Sequence, residues 1–140
     1  MDGRVLGLDV GERRIGIAIS DALRLTAQRL TVLERTKLPQ DLEALAALVQ
    51  AHDARVIVVG LPLTMRGTRG PQAQRVEAFA KALGARVERP IELVDERLTT
   101  VEGERALLAM DTSRRKRKEV IDLVAAQLIL QQYLDCHRQP

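Results

Sequence analysis

Two apolar runs, Val5–Val10 and Ile15–Ile19, open the chain on either side of the polar stretch Gly11-Glu12-Arg13-Arg14. This grouping predicts two strands joined as a hairpin. Gly16, inside the second run, predicts a bulge or a close approach by neighbouring backbone. A third strand is expected around Arg29–Leu33. The period then lengthens: Leu38, Leu42, Leu45, Leu48 and Val49 recur at helical spacing, with Pro39 and Asp41 suited to a first turn. Val56-Ile57-Val58-Val59 is short, β-branched and wholly apolar, the pattern of a central strand covered on both faces. After the loop 60–70, a helix opening at Pro71 carries Val76, Phe79, Ala80 and Leu83 on one stripe, and Gly84 is expected to stop it. Ile91–Val94 reads as a further strand that ends at Asp95-Glu96. Thr99-Thr100-Val101-Glu102 fits a capping box for a helix through Met110. The basic residues from Arg114 are expected in a flexible loop, and a last helix is predicted from Lys118 to Leu134.

Three antiparallel strands, then alternating helices and strands, then helices predict a mixed α/β sheet with helices on both faces. The 140 residues are expected to form one domain, 1–140, burying about two-thirds of the unfolded surface. No stretch approaches the ~20 apolar residues of a membrane span, and no basic-then-apolar signal opens the chain. The single Cys136 leaves no internal disulfide framework and no multi-cysteine zinc site. A cytoplasmic protein without a membrane partner is the expectation.

Charge sharpens this picture. The net charge of +3 and pI near 9.5 point weakly to a polyanionic partner. Their distribution says more, because Arg114, Arg115, Lys116, Arg117 and Lys118 are consecutive. The bland alternative is a solvated loop. With Arg13, Arg14, Arg66, Arg69 and Arg97, these residues are the candidate nucleic-acid contacts. Arg97 could instead orient its neighbour Glu96 or form a structural ion pair. Phe79 and Tyr133 are the only aromatic residues, too few to stack unpaired bases, so backbone charge and shape are expected to dominate recognition.

Acids in apolar surroundings carry the chemistry. Asp9 lies within the first apolar run, where an uncompensated carboxylate would cost several kcal/mol. In V-I-D-L-V-A-A-Q-L-I-L, residues 120–130, Asp122 is the only charge, and Ala125, Ala126 and Ile129 share its helical face. Asp95 and Glu96 close a strand, and because side chains alternate, at most one of them points the way Asp9 does. Acids converging beyond the carboxyl ends of parallel strands would repel one another unless a cation neutralises them. An all-oxygen set suits Mg²⁺ or Mn²⁺, and two such ions can clamp a phosphodiester. The alternative is that each acid bonds a backbone amide or an arginine.

The segments G-L-D-V-G-x-R-R-I-G-I-A-x-S-D, V-V-G-L-P-L-x-M-x-G-T-x-G-P-Q-A, V-D-E-R-L-T-T and I-D-x-x-A-A-x-x-I-L-Q-x-Y-L-D together resemble the YqgF family. These are RNase H-like proteins related to RuvC-type Holliday-junction resolvases and connected with pre-16S rRNA processing. The resemblance spans nearly the whole chain in collinear blocks. It implies a ribonuclease H-like fold and a divalent-metal nuclease centre, with the catalytic and metal-binding acids at Asp9, Glu96 and Asp122. Asp95 is the lesser alternative to Glu96. The chain departs from the family in Met65-Arg66-Gly67-Thr68-Arg69-Gly70, where two usual acids are arginines, a change that favours phosphate. Gly103 also replaces a usual alanine.

The leading expectation is thus a metal-dependent endonuclease acting on structured nucleic acid, with pre-16S rRNA 5′-end processing in ribosome biogenesis as its role. The alternatives are a resolvase of branched DNA in recombination and repair, and a non-catalytic ribosome- or nucleic-acid-binding protein. A kinase-like phosphotransferase is set aside, because 140 residues hold only one of the two phosphate-binding units it needs. Monomer and homodimer both remain open.

Overall fold

The computed structural model describes residues 3–64, 66–96 and 114–137, with 114–117 given by backbone only. Its elements are β1 (Arg4–Val10), β2 (Arg14–Ser20), β3 (Ala27–Glu34), α1 (Leu38–Ala51), β4 (Ala54–Leu61), α2 (Pro71–Val87), β5 (Ile91–Asp95) and α3 (Arg114–Cys136). The five strands form one sheet in the order β3-β2-β1-β4-β5. The first three run antiparallel, whereas β4 pairs parallel with both β1 and β5. The predicted mixed sheet is therefore present, and the carboxyl ends of β1, β4 and β5 lie at one end of it.

Alternation along the strands divides the core in two. Leu6, Leu8, Val10, Ile15, Ile17, Ile57 and Val59 pack with Leu45 and Val49 of α1 and Val76, Phe79 and Leu83 of α2. Val5, Ala18, Val58 and Val94 point to the opposite face, against Ala125, Ala126, Ile129, Leu130 and Tyr133 of α3. Helices thus cover both faces, which explains why β1 and β4 are wholly apolar apart from Asp9 and the terminal Arg4 and Arg55.

Helix α3 lies close to the sheet because glycines leave room for it. A Cβ on Gly7 would stand 2.7 Å from Leu130 Cβ, and one on Gly16 would stand 2.1 Å from the Asp122 carbonyl oxygen. The expected close approach at Gly16 is made by this helix. Gln127 and Gln131 fasten α3 to the start of β3: Gln127 Nε2 donates to the Ala27 carbonyl at 3.0 Å, and Gln131 Oε1 accepts the Ala27 N–H at 2.9 Å.

Two boundaries differ from expectation. Gly84 does not stop α2, which continues to Val87 and ends at Glu88 in a left-handed conformation, φ 55°. Gly84 is instead a contact point, where a Cβ would stand 3.0 Å from Ile91 Cγ1. The basic residues from Arg114 form no loop: their backbone is the first part of α3. A charge run has no apolar period to announce a helix, so its helical backbone was hidden in the sequence. The predicted helix at 99–110 lies outside the described residues.

Candidate active site

Asp9 is next to last in β1 and alternates with Leu8 and Val10, so it faces α3. Its partner across β2 is Gly16. On the other side, continuing the β1–β4 register one residue past Leu8–Val59 brings it beside Gly60. Asp9 therefore stands between two glycines, and each glycine lies beneath another of the predicted acids. A Cβ on Gly60 would come within 2.7 Å of Glu96 Oε1, and one on Gly16 within 3.1 Å of Asp122 Cβ. The three acids share one face of the sheet, beyond the carboxyl ends of the parallel strands, where ligands of α/β sheets bind.

Asp95 and Glu96 occupy different surroundings. Val94 packs in the α3 core, and Glu96, two residues on, lies over Gly60 on the same side. Glu96 is buried, 7% exposed, as is Asp9 at 9%. Asp95 is half-buried and lines a separate cavity of about 200 Å³ with Leu93, Tyr133 and His137.

Asp122 is held by an arginine. Arg14 Nε donates to Asp122 Oδ2 at 2.8 Å, with both side chains about one-fifth exposed, 22% and 20%. The bond to Asp122 outweighs partial burial and keeps the Arg14 guanidinium even more firmly protonated than an ordinary arginine. Here the alternative reading of the acids, pairing with an arginine, describes Asp122. The ion pair joins residues 108 apart in the chain, and no local pattern announces it.

Among the described residues, no group of three His, Cys, Asp or Glu side chains is gathered closely enough to hold a metal ion. The donor chemistry nevertheless fits a hard divalent cation: carboxylates alone, two of them buried, above glycines that leave space for them.

The candidate basic contacts have different environments. Arg13 is exposed in the β1–β2 turn, and Arg66 is exposed in the loop after β4. That loop is tightened by Gly67, φ 82°, whose N–H donates to the Thr64 carbonyl at 2.8 Å. Arg69 is exposed and paired with Glu77 at 3.0 Å. Lys118 is exposed on α3. Arg97 and the side chains of Arg114, Arg115, Lys116 and Arg117 lie outside the described residues. Both aromatic rings are buried in the core: Phe79 lies under the Arg35 guanidinium, 4.9 Å from its centroid. Burial also raises the Tyr133 pKa above its ordinary value.

A third buried acid, Asp41, lies in the first turn of α1 as expected and serves structure. It pairs with Arg35 at 3.1 Å and accepts the Thr36 N–H at 3.0 Å, tying the segment before α1 to the helix's first turn.

Comparison with known proteins shows the family and the fold. Residues 3–136 match the RuvX family, described as Holliday junction resolvase. A protein of Myxococcus xanthus named "Putative pre-16S rRNA nuclease" is 50% identical over 137 residues, covering 98% of this chain and 91% of its own length. A relative of the same name from Moorella thermoacetica is 54% identical over 132 residues, covering 94% of each chain. In fold, the chain is similar to Thermus thermophilus RuvC in complex with a Holliday junction, with TM-score 0.60 at 12% identity over 96% of this chain and 94% of that one. It is likewise similar to the Fowlpox virus resolvase bound to its junction, with TM-score 0.58 at 10% identity over 97% and 99% of the two chains. The expected RuvC-like, ribonuclease H-type α/β fold is the one observed.

Proposed function

The chain belongs to the RuvX family, and from that premise we propose that it is a divalent-metal-dependent nuclease of structured nucleic acid. We infer that its role is processing the 5′ end of pre-16S rRNA in the cytoplasm. The observation that carries this reading is the row Gly16–Asp9–Gly60, with Asp122 and Glu96 above its two glycines. Three acids brought to one covered face, Asp122 and Glu96 over the glycines that flank Asp9, suit a cation and a phosphate.

In this reading Asp9 provides the carboxylate on the sheet floor, and Glu96 and Asp122 approach from β5 and α3. Asp9, Glu96 and Asp122 would hold Mg²⁺ or Mn²⁺, two ions in this reading, and the metal would supply positive charge to the scissile phosphate and lower the pKa of the attacking water. The chain's own part is to hold three carboxylates on one side of that phosphate. Packing by Ile129 and Val94 keeps bulk water from the floor beneath them. The exposed Arg13, Arg66 and Lys118, with the basic start of α3, attract the backbone on either side. Such contacts carry charge without sequence information. Cleavage then depends on where the backbone bends toward the acids, at a fork, junction or hairpin flank.

The family description favours a second substrate, branched DNA, since both chemistries use the same acids. A substrate panel decides between them: purified protein with Mn²⁺ on matched RNA and DNA hairpins, single strands and four-way junctions. The reading predicts metal-dependent cleavage of the RNA hairpin flank in preference to its DNA counterpart. Preference for the junction supports the resolvase, and binding without cleavage of any substrate leaves a non-catalytic nucleic-acid-binding protein.

A further inference from the structure

The ion pair between Arg14 and Asp122 has no place in a simple three-acid site, because it commits one of the acids to a cation supplied by the protein itself. We propose that Arg14 is a latch. It holds Asp122 until a phosphate of the nucleic acid takes over its guanidinium, so that Asp122 joins Asp9 and Glu96 only when substrate is present. Arg14 is a positioning residue in this account, and the inference rests on the metal-dependent reading above.

Three observations support it. The pair is short and charge-assisted, at 2.8 Å, yet each partner is about one-fifth exposed, 22% and 20%, so an incoming phosphate can reach it. Arg14 opens β2 beside the exposed Arg13, at the mouth of the acid-bearing face. A guanidinium pairs with phosphate as readily as with carboxylate, so the exchange conserves its hydrogen bonding. Finally, the Asp122 backbone rests on Gly16, two residues from Arg14 on the same strand face. The main chain is fixed there, and a change of partner needs only a side-chain rotation. Release on phosphate contact would confine the complete metal site to the bound complex and limit cleavage of the wrong substrate.

Mn²⁺ binding to the full chain, read from the electron paramagnetic resonance signal of free Mn²⁺, tests the latch without any cleavage assay. Arg14→Gln, by raising the share of chains whose Asp122 is released, should bind Mn²⁺ about tenfold more tightly than the unaltered chain, and adding Asp122→Asn to it should remove that gain. Arg14→Lys, which keeps the charge without the Nε–H donor, should fall between them and provides the readout if Arg14→Gln fails to fold. Sulfate, a probe for the phosphodiester, should tighten Mn²⁺ binding to the unaltered chain at matched ionic strength and leave Arg14→Gln unaffected. Equal or weaker Mn²⁺ binding in both Arg14 variants, or no response to sulfate in the unaltered chain, overturns the latch. If Asp9→Asn still abolishes Mn²⁺ binding in that case, the metal reading stands. If no variant changes Mn²⁺ binding, both fall.

Discussion

Glu96, just past the end of β5, lies over Gly60 of β4, with its Oε1 only 2.7 Å from the position a Gly60 Cβ would take. The same Cβ would meet Ile129 Cδ1 at 2.5 Å. Both neighbours are the ends of flexible side chains, so the fold can accept a methyl group by moving them, and one of the groups that moves is the carboxylate. Gly60→Ala should therefore cost about 1 kcal/mol of stability while lowering the cleavage rate more than about tenfold. Urea unfolding alongside the metal-dependent rate checks this, and an unchanged rate would remove Glu96 from the site.

Gly16 shows the opposite balance. Its missing Cβ would stand 2.1 Å from the Asp122 carbonyl oxygen and 2.6 Å from the carbonyl carbon, which are backbone atoms of a packed helix. Gly16→Ala should destabilise the fold by about 3 kcal/mol, at the upper end of overpacking costs. Its urea midpoint should fall clearly below that of Gly60→Ala, and the reverse order would mean that α3 can lift from the sheet.

Acid should loosen the β2–β3 turn. Asp21 accepts the N–H groups of Thr26 at 2.9 Å and Leu25 at 2.8 Å, and the Thr26 bond foremost holds its pKa below the ordinary 3.8. A carboxylate whose folded pKa is depressed adds stability above its unfolded value and loses it as pH falls through the folded one. Relative to Asp21→Asn, the unaltered chain should keep a constant advantage at neutral pH, and that advantage should shrink as pH falls below 3.8. Stability measured against pH for the two chains checks the sign. An advantage that grows on acidification would contradict it.

The start of α3 bears directly on nucleic-acid binding. Its first turn is basic and holds no acid, which opposes the helix dipole and gains nothing for the isolated fold. Replacing Arg115, Lys116 and Arg117 with Ala should leave the melting temperature unchanged or raised. Binding should weaken across all sequences, with the log–log salt slope on duplex falling by about one unit for each phosphate that is no longer neutralised. An unchanged slope would return these residues to the role of a solvated helix face.

Much of the fold, and the acids of the candidate site, stood out in the sequence for physical reasons. Strands β1, β2 and β4 are buried on both faces, so their apolar runs announce themselves, and Asp9 stands out against them. Gly16 signalled close packing because a glycine inside a strand weakens it without some compensating contact. Asp95 and Glu96 are adjacent at a strand end, and alternation there needs the observed packing of Val94 to set its phase. Gly84 read as a stop because glycine ends many helices, whereas here its lack of a side chain serves the contact with Ile91. The Arg14–Asp122 pair was beyond reach, since it is made only when α3 folds back across β2.

Which acids perform the chemistry is tested most directly by the initial rate of Mn²⁺-dependent cleavage. It should be measured on the preferred structured substrate with Asp9→Asn, Glu96→Gln, Asp122→Asn and Asp95→Asn, each shown to be folded. The first three should each lose about 100-fold or more, and Asp95→Asn should lose less than Glu96→Gln. A near-normal rate in any of the first three, or a greater loss in Asp95→Asn than in Glu96→Gln, would contradict the assignment.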